Sequence, residues 1–239
     1  FSSGSVKSGA GSPICRVMGS RTVGGSVTAL WMHPIGPDAA AGELVVSNQE
    51  RAWAAGLTAS RAQHFLASRS WMRSCLATLH GASPMQVPLT APPAAPPRLS
   101  DDWGYVSLSH CVDACLLGWS QQPIGVDLER ADRKLHAAAA LMRRFFTESE
   151  QSELGELEGD QLRQQVLDRW LVKEAAIKWQ RGSLARDLGF WEVSSSLCAA
   201  LHRGLDLKVV AQLRSQGEWR LGVVVAEQAF LQDCLLCTA

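Results

Sequence analysis

No apolar run in this 239-residue chain approaches the ~20 residues that a membrane-spanning helix needs. Neither sign of charge dominates. The 23 Lys and Arg stand against 23 Asp and Glu, so no overall field draws the protein to nucleic acid or to an anionic membrane. A disulfide framework is missing too: the seven cysteines, Cys15, Cys75, Cys111, Cys115, Cys198, Cys234 and Cys237, are odd in number and irregularly spaced. Cys234-x-x-Cys237 lacks a second pair, so packed free thiols are expected there rather than a bound metal. This usage fits a reducing cytosol. No G-x-x-x-x-G-K-[ST] loop is present, which sets aside an ordinary P-loop kinase.

The composition, 46% apolar and 19% charged, is that of a globular protein, and the length suffices for one large or two small cores. Residues 1–26 are rich in Gly and Ser, carry Lys7, Arg16 and Arg21 without the apolar core of a signal peptide, and are expected to be disordered. Ala29 to Ile35 reads as a first strand. Ser47 opens a helical region with Glu50 at the capping-box offset. A second helix is expected through 60–79, with Phe65, Leu66, Trp71, Met72, Leu76 and Leu79 as its apolar stripe.

Residues 84–97 form a stiff connector holding six prolines, Pro84, Pro88, Pro92, Pro93, Pro96 and Pro97. It marks the boundary between an N-terminal lobe, 27–100, and a C-terminal lobe, 101–239. Three antiparallel strands are expected next, Tyr105–Ser109, Asp113–Trp119 and Ile124–Glu129, the last two tightly joined by Ser120-Gln121-Gln122-Pro123. Helices follow at 136–146, 148–157 and 160–181, and two closing strands at 205–213 and 218–226. The fold class is α+β.

Two segments carry chemistry. In Ile124-Gly125-Val126-Asp127-Leu128-Glu129 the apolar residues alternate with the others, so one face of the strand is greasy and the other ends in acid. Asp127 and Glu129 then lie about 6.6 Å apart and point the same way, a spacing that long carboxylate side chains can close around a hard cation such as Mg²⁺. Two acids facing water at a strand end is the plainer alternative. In the second segment, Trp170 to Lys178, Glu174 and Lys178 sit four residues apart on one helical stripe, either as an exposed ion pair or as part of the same site. Three acids and one amine on two rigid elements suit a divalent metal holding a phosphorylated substrate.

These residues resemble the 4′-phosphopantetheinyl transferase superfamily, in its larger surfactin-synthetase-activating (Sfp-type) branch. The matching stretches run in order: Ser107-Leu108-Ser109-His110, Ile124 to Glu129, Phe145-Phe146 with Glu150, then Trp170 to Lys178, with Glu50-Arg51, Arg69 and Arg73 fitting the amino-terminal helices more loosely. The resemblance implies two similar α/β lobes, a pseudo-dimer, with the active site in the cleft between them. It implies Mg²⁺-dependent transfer of the 4′-phosphopantetheine arm of coenzyme A to a serine of an apo acyl or peptidyl carrier protein, releasing 3′,5′-ADP. A cytoplasmic monomer is expected.

Carried over by residue, the resemblance gives Asp127, Glu129 and Glu174 as metal ligands and Glu174 also as base, directly or through water. Lys178 would neutralise the departing phosphate, His110 would reach the 3′-phosphate of the nucleotide, and Ser109 would bind substrate beside it. Many relatives carry Gly-Lys-Pro shortly before the Ser-x-Ser-His strand; Ala94-Ala95 replace the Gly-Lys pair here, with Arg51 or Arg98 as candidate substitutes for the lost charge. Trp170 reads as a core residue ahead of an adenine platform. Arg61, Arg69 and Arg73 read as a solvated face or as a local basic patch for an acidic carrier. A coenzyme A- or carrier-binding protein without catalysis, and a Mg²⁺-dependent phosphohydrolase, are the competing functions.

Overall fold

The protein is described from a computed structural model, which covers residues 28–34, 43–135, 137–226 and 234–238. The tail expected to be disordered lies outside these residues, as do the side chains of Cys234 and Cys237. Strand β1 (Thr28–Pro34) is followed by α1 (Asn48–Ala54) and the 22-residue α2 (Ala59–His80). After the proline-rich connector come β2 (Tyr105–His110), β3 (Ala114–Ser120) and β4 (Ile124–Arg130). Three helices follow, α3 (Ala138–Phe145), α4 (Glu148–Leu154) and α5 (Gly159–Gln180), then the single turn α6 (Leu184–Asp187). The chain closes with β5 (Trp191–Val193), β6 (Ala199–His202), β7 (Leu207–Gln216), β8 (Trp219–Ala226) and β9 (Cys234–Thr238).

The strands form two sheets, ordered β2-β3-β1-β9 and β4-β8-β7-β6-β5. This corrects the three-stranded reading of 105–129. β2 and β3 pair, but β4 joins the second sheet, matched to β8 from Ile124 opposite Val225 to Arg130 opposite Trp219. Ser120 to Pro123 is therefore a crossing between sheets and not a hairpin. The sheets divide there, downstream of the connector at which the two lobes were expected to part.

Alternation along the strands sets the layering. Ala29, Trp31, Leu117 and Trp119 pack with Met72 and Leu76 of α2 on one side of the first sheet. Leu30 and Leu116 turn the other way and meet Ile124, Val126, Leu128, Leu221, Val223 and Val225 of the second sheet. The opposite face of the second sheet, with Val209, Ala211 and Val224, receives Val172, Ala175 and Ala176 of α5. β2 and β4 are edge strands of different sheets, and they meet through a serine: the backbone N–H of Val126 donates to Ser107 Oγ at 3.0 Å. Among the described residues no helix is long and apolar enough to cross a membrane.

One device anchors both long helices. The Ser47 N–H donates to Glu50 Oε2 at 2.7 Å and the Glu50 N–H donates back to Ser47 Oγ, closing the expected capping box on α1. Glu50 is buried, and its carboxylate holds Arg73 of α2 at 3.0 Å. The second half repeats this with Thr147 and Glu150 on α4. Glu150 holds Lys173 of α5 at 2.7 Å, and in each half the cation lies 23 residues after the acid. Arg73, read from sequence as a solvated or docking residue, is thus committed to the interior.

Lys173 and Glu150 are both sealed from solvent. Burial pushes the Lys173 ammonium below the ordinary lysine range, and Glu150 opposes that shift. The carboxylate also accepts from the Val193 N–H at 3.0 Å, so this one group ties α4, α5 and β5 together. Removing one partner of such a pair strands a buried charge and costs about 3–5 kcal/mol. Lys173→Met should lose about that much stability in urea denaturation, and adding Glu150→Gln should recover part of it. An unchanged midpoint for Lys173→Met would remove the pair from any structural role.

Candidate functional site

Gly125 decides where the site forms. A Cβ built there would lie 1.9 Å from the Ala175 carbonyl oxygen and 2.7 Å from the Trp179 nitrogen, so only glycine lets α5 lie this close to β4. Gly222 of β8, opposite Asp127, does the same under Leu171. With the helix seated in this trough, Asp127, on the same strand face as Gly125, comes beside Glu174 and Lys178.

The contacts are close. Lys178 Nζ donates to Asp127 Oδ1 at 2.6 Å and to Ser109 Oγ at 2.8 Å, and the Ser109 hydroxyl donates to the same carboxylate oxygen at 2.7 Å. Asp127 is only 3% exposed, so the reading of two acids facing water fails for it. Its second oxygen, Oδ2, is buried and has no hydrogen-bond partner among the described residues. Glu129 is half-buried and ion-paired with Arg133. Burial raises its carboxyl above the ordinary range, Arg133 opposes that shift, and Asp127 adds to it. Glu174 is raised to about 7, first by burial, then by repulsion from Asp127, with Lys178 opposing. Trp170 packs edge-on against Phe145, ring centres 5.8 Å apart, which makes it a core residue as read from sequence.

The donor set fits a hard cation in its chemistry. It comprises carboxylate oxygens from Asp127, Glu129 and Glu174, one of them an orphaned buried oxygen, in a cluster whose mutual repulsion raises a pKa. Among the described residues no three His, Cys, Asp or Glu side chains stand close enough together to ring an ion. Lys178 is paired with Asp127, and Arg133 with Glu129.

Beside this cluster lies a cavity of about 1060 Å³, bounded by α2, the 93–97 segment, β2 and α5. Its lining carries four cations, Arg61, Arg69, Lys178 and Arg181, against the single acid Glu174. His110 is exposed on the wall; desolvation, then Lys178 and Arg69, hold its imidazole below the ordinary value. Ser109, Asp127 and Glu129 are not part of the lining; Ser109 and Asp127 are joined to it through Lys178. Arg51 and Arg98 do not line it either. Arg51 is exposed on α1, and Arg98 pairs its backbone with Thr90.

Sequence reading left Arg69 and Arg61 outside the candidate site and missed Arg181. The available signal was the spacing of Arg61, Phe65 and Arg69, four residues apart, which puts all three on one stripe of α2.

A model of the 4′-phosphopantetheinyl transferase superfamily matches residues 123–224. The matched segment runs from just before β4 to within β8 and so contains Asp127, Glu129, Glu174, Lys178 and both trough glycines. No curated protein matches the chain.

Ala94, where the Gly of Gly-Lys was expected, adopts φ 59°, the left-handed region that disfavours side chains. Ala94→Gly should therefore raise stability by about 1 kcal/mol in thermal or chemical denaturation; a loss would show that no strain is stored there. The Glu174 carboxyl should titrate near 7 in carbon-13 NMR of the metal-free protein, and Asp127→Asn should lower it. Because folding favours its protonated form, its contribution to stability is complete below about 4.5 and is lost as pH rises through about 7. Titration near 4.5 would contradict the burial and repulsion described here.

Proposed function

We propose that this chain moves the 4′-phosphopantetheine arm of coenzyme A onto a serine hydroxyl of an apo acyl or peptidyl carrier protein and releases 3′,5′-ADP. The observation that carries the reading is the convergence of Asp127, Glu174 and Lys178 beside a cation-lined cavity, within the segment that matches the transferase family. The repeated capping box and buried acid–cation pair support a two-lobe pseudo-dimer. Mg²⁺ would be held by Asp127, Glu129 and Glu174 and would supply charge neutralisation at the coenzyme A diphosphate.

The chain's own residues do the rest. Phosphoryl transfer depends chiefly on positioning and on opposing charge as it develops on the oxygens. The carrier serine oxygen bonds to the phosphorus that bears pantetheine, and the bond from that phosphorus to the bridging oxygen breaks. The serine proton passes to a Glu174 carboxylate oxygen, directly or through water. Charge that appears on the departing 3′,5′-ADP faces Lys178 Nζ, whose place on the wall is fixed by Asp127 Oδ1 and Ser109 Oγ.

A second reading has one observation in its favour. Asp127 Oδ1 is already taken by Lys178, and no ready-made ring of three metal-binding side chains exists among the described residues. A protein so arranged could bind coenzyme A or a carrier without transfer.

Intact-mass spectrometry of an apo carrier protein incubated with the chain, coenzyme A and Mg²⁺ separates the readings. One added phosphopantetheine, lost with EDTA and reduced at least about 100-fold by Asp127→Asn in a chain of unchanged circular dichroism, is the expected result. Tight coenzyme A binding without transfer to any carrier type would favour the binding protein. Release of 3′,5′-ADP without a carrier would point to hydrolysis.

A further inference from the structure

Val112 is the most exposed large apolar side chain among the described residues, 95% open to water. It stands at the tip of the β2–β3 hairpin, which closes with the Cys111 N–H donating to the Ala114 carbonyl at 2.9 Å. A two-residue turn favours Asn, Asp or Gly at its tip, not a β-branched side chain. The tip is also braced. Asp113 accepts from Trp219 Nε1 of β8 at 3.0 Å and from Arg130 Nη1 of β4 at 2.7 Å, and Arg130 pairs in turn with Glu218 at 3.1 Å. Single exposed apolar residues are ordinary on a protein surface; what distinguishes this one is where the brace puts it. Arg130 directly follows Glu129, so the tip stands at the acid end of β4, and Val112 is part of the cavity lining there.

The chain that leaves this end of β4 is basic. Residues 130–144 hold five cations, Arg130, Arg133, Lys134, Arg143 and Arg144, against the single acid Asp132, in a chain that is neutral overall. Arg130 and Arg133 are committed to carboxylates. Lys134, Arg143 and Arg144 are exposed and form no ion pair among the described residues. They flank the acid end from two sides. Lys134 lies four residues beyond Arg130, within about 14 Å of chain. Phe145, next to Arg144, packs against Trp170, one helical turn before Glu174. Transfer to a protein brings the acceptor serine to these acids, so the acceptor's surface must rest on what frames them. An apolar tip beside free cations fits a protein that carries an apolar spot and acidic residues around its serine.

We propose that Val112, with Lys134, Arg143 and Arg144, is the docking surface for an acidic carrier protein, the valine its apolar anchor and the cations its rim. This rests on the transfer reading given above. The brace through Asp113 fixes the anchor before the partner arrives, so little ordering is left to be done on binding. The rim cations speed the encounter and select for an acidic partner.

Steady-state transfer by the full chain to apo acyl and peptidyl carrier proteins, with isothermal titration of coenzyme A alongside, tests this. Val112→Asp removes the anchor and repels an acidic partner. It should raise KM for the carrier at least about 10-fold while leaving kcat and coenzyme A affinity within about twofold of wild type. Val112→Leu, which keeps an apolar tip, should behave as wild type. Lys134→Glu combined with Arg143→Glu should raise the carrier KM about 3- to 30-fold and flatten its dependence on salt. A carrier KM unchanged in Val112→Asp, or carrier and coenzyme A weakened together, would overturn the docking surface while leaving the transfer reading standing. A wild-type dimer in sedimentation that Val112→Asp dissociates would also overturn it, giving the tip to a second copy of the chain. A wild-type chain that transfers to no carrier would overturn both.

Discussion

The approach of α5 to the second sheet is the constraint on which the rest of the site depends. It requires two glycines in adjacent strands, Gly125 and Gly222, because a methyl group at either would strike helix backbone. Once the helix is seated, its register is fixed by Val172, Ala175 and Ala176 on the sheet, and the side chains at 174 and 178 fall toward Asp127. The spacing of Gly125 and Asp127 on β4 is therefore a packing statement and a chemical one together: the residue two places before the acid makes room for the helix that brings its partners.

Helix α5 carries opposed duties along its length. Lys173 is spent inside the fold on Glu150, and Asp168 holds Arg220 of β8 at 2.8 Å. The residue next to Lys173, Glu174, turns toward the cavity side instead and has its pKa raised. Neighbouring residues on a helix point in different directions, so one rigid rod can be bolted to the sheet by some and present charge to a ligand with others. Rigidity of this kind is what a site held by positioning needs.

Much of this was legible in the sequence. The β4 alternation, the Ser47–Glu50 box and the core role of Trp170 could be read from period and spacing, whereas the grouping of Asp127, Glu174 and Lys178 came from the family resemblance. The sheet assignment of β4 could not, because the alternation that buries Ile124, Val126 and Leu128 is the same whichever sheet the strand joins. Nor could the fates of Arg69 and Arg73. They lie four residues apart on one helix, yet Arg73 meets Glu50 and Arg69 meets the cavity, a difference set by which distant segment covers each position. Short strands such as β5 and β6 carry too few residues to show a period.

Net neutrality hides a strongly polarised interior. The chain balances 23 cations against 23 anions, but around the cavity four cations face one carboxyl whose pKa of about 7 leaves it only partly charged at neutral pH. The fully committed acids lie behind the wall, where Lys178 screens Asp127 from the space a ligand enters. A polyanion approaching the cavity thus meets positive charge first and encounters the carboxylates only where Lys178 stands between. One oxygen of Asp127 carries the ion pair that fixes Lys178, and the Asp127 carboxylate adds its repulsion to burial in raising Glu174.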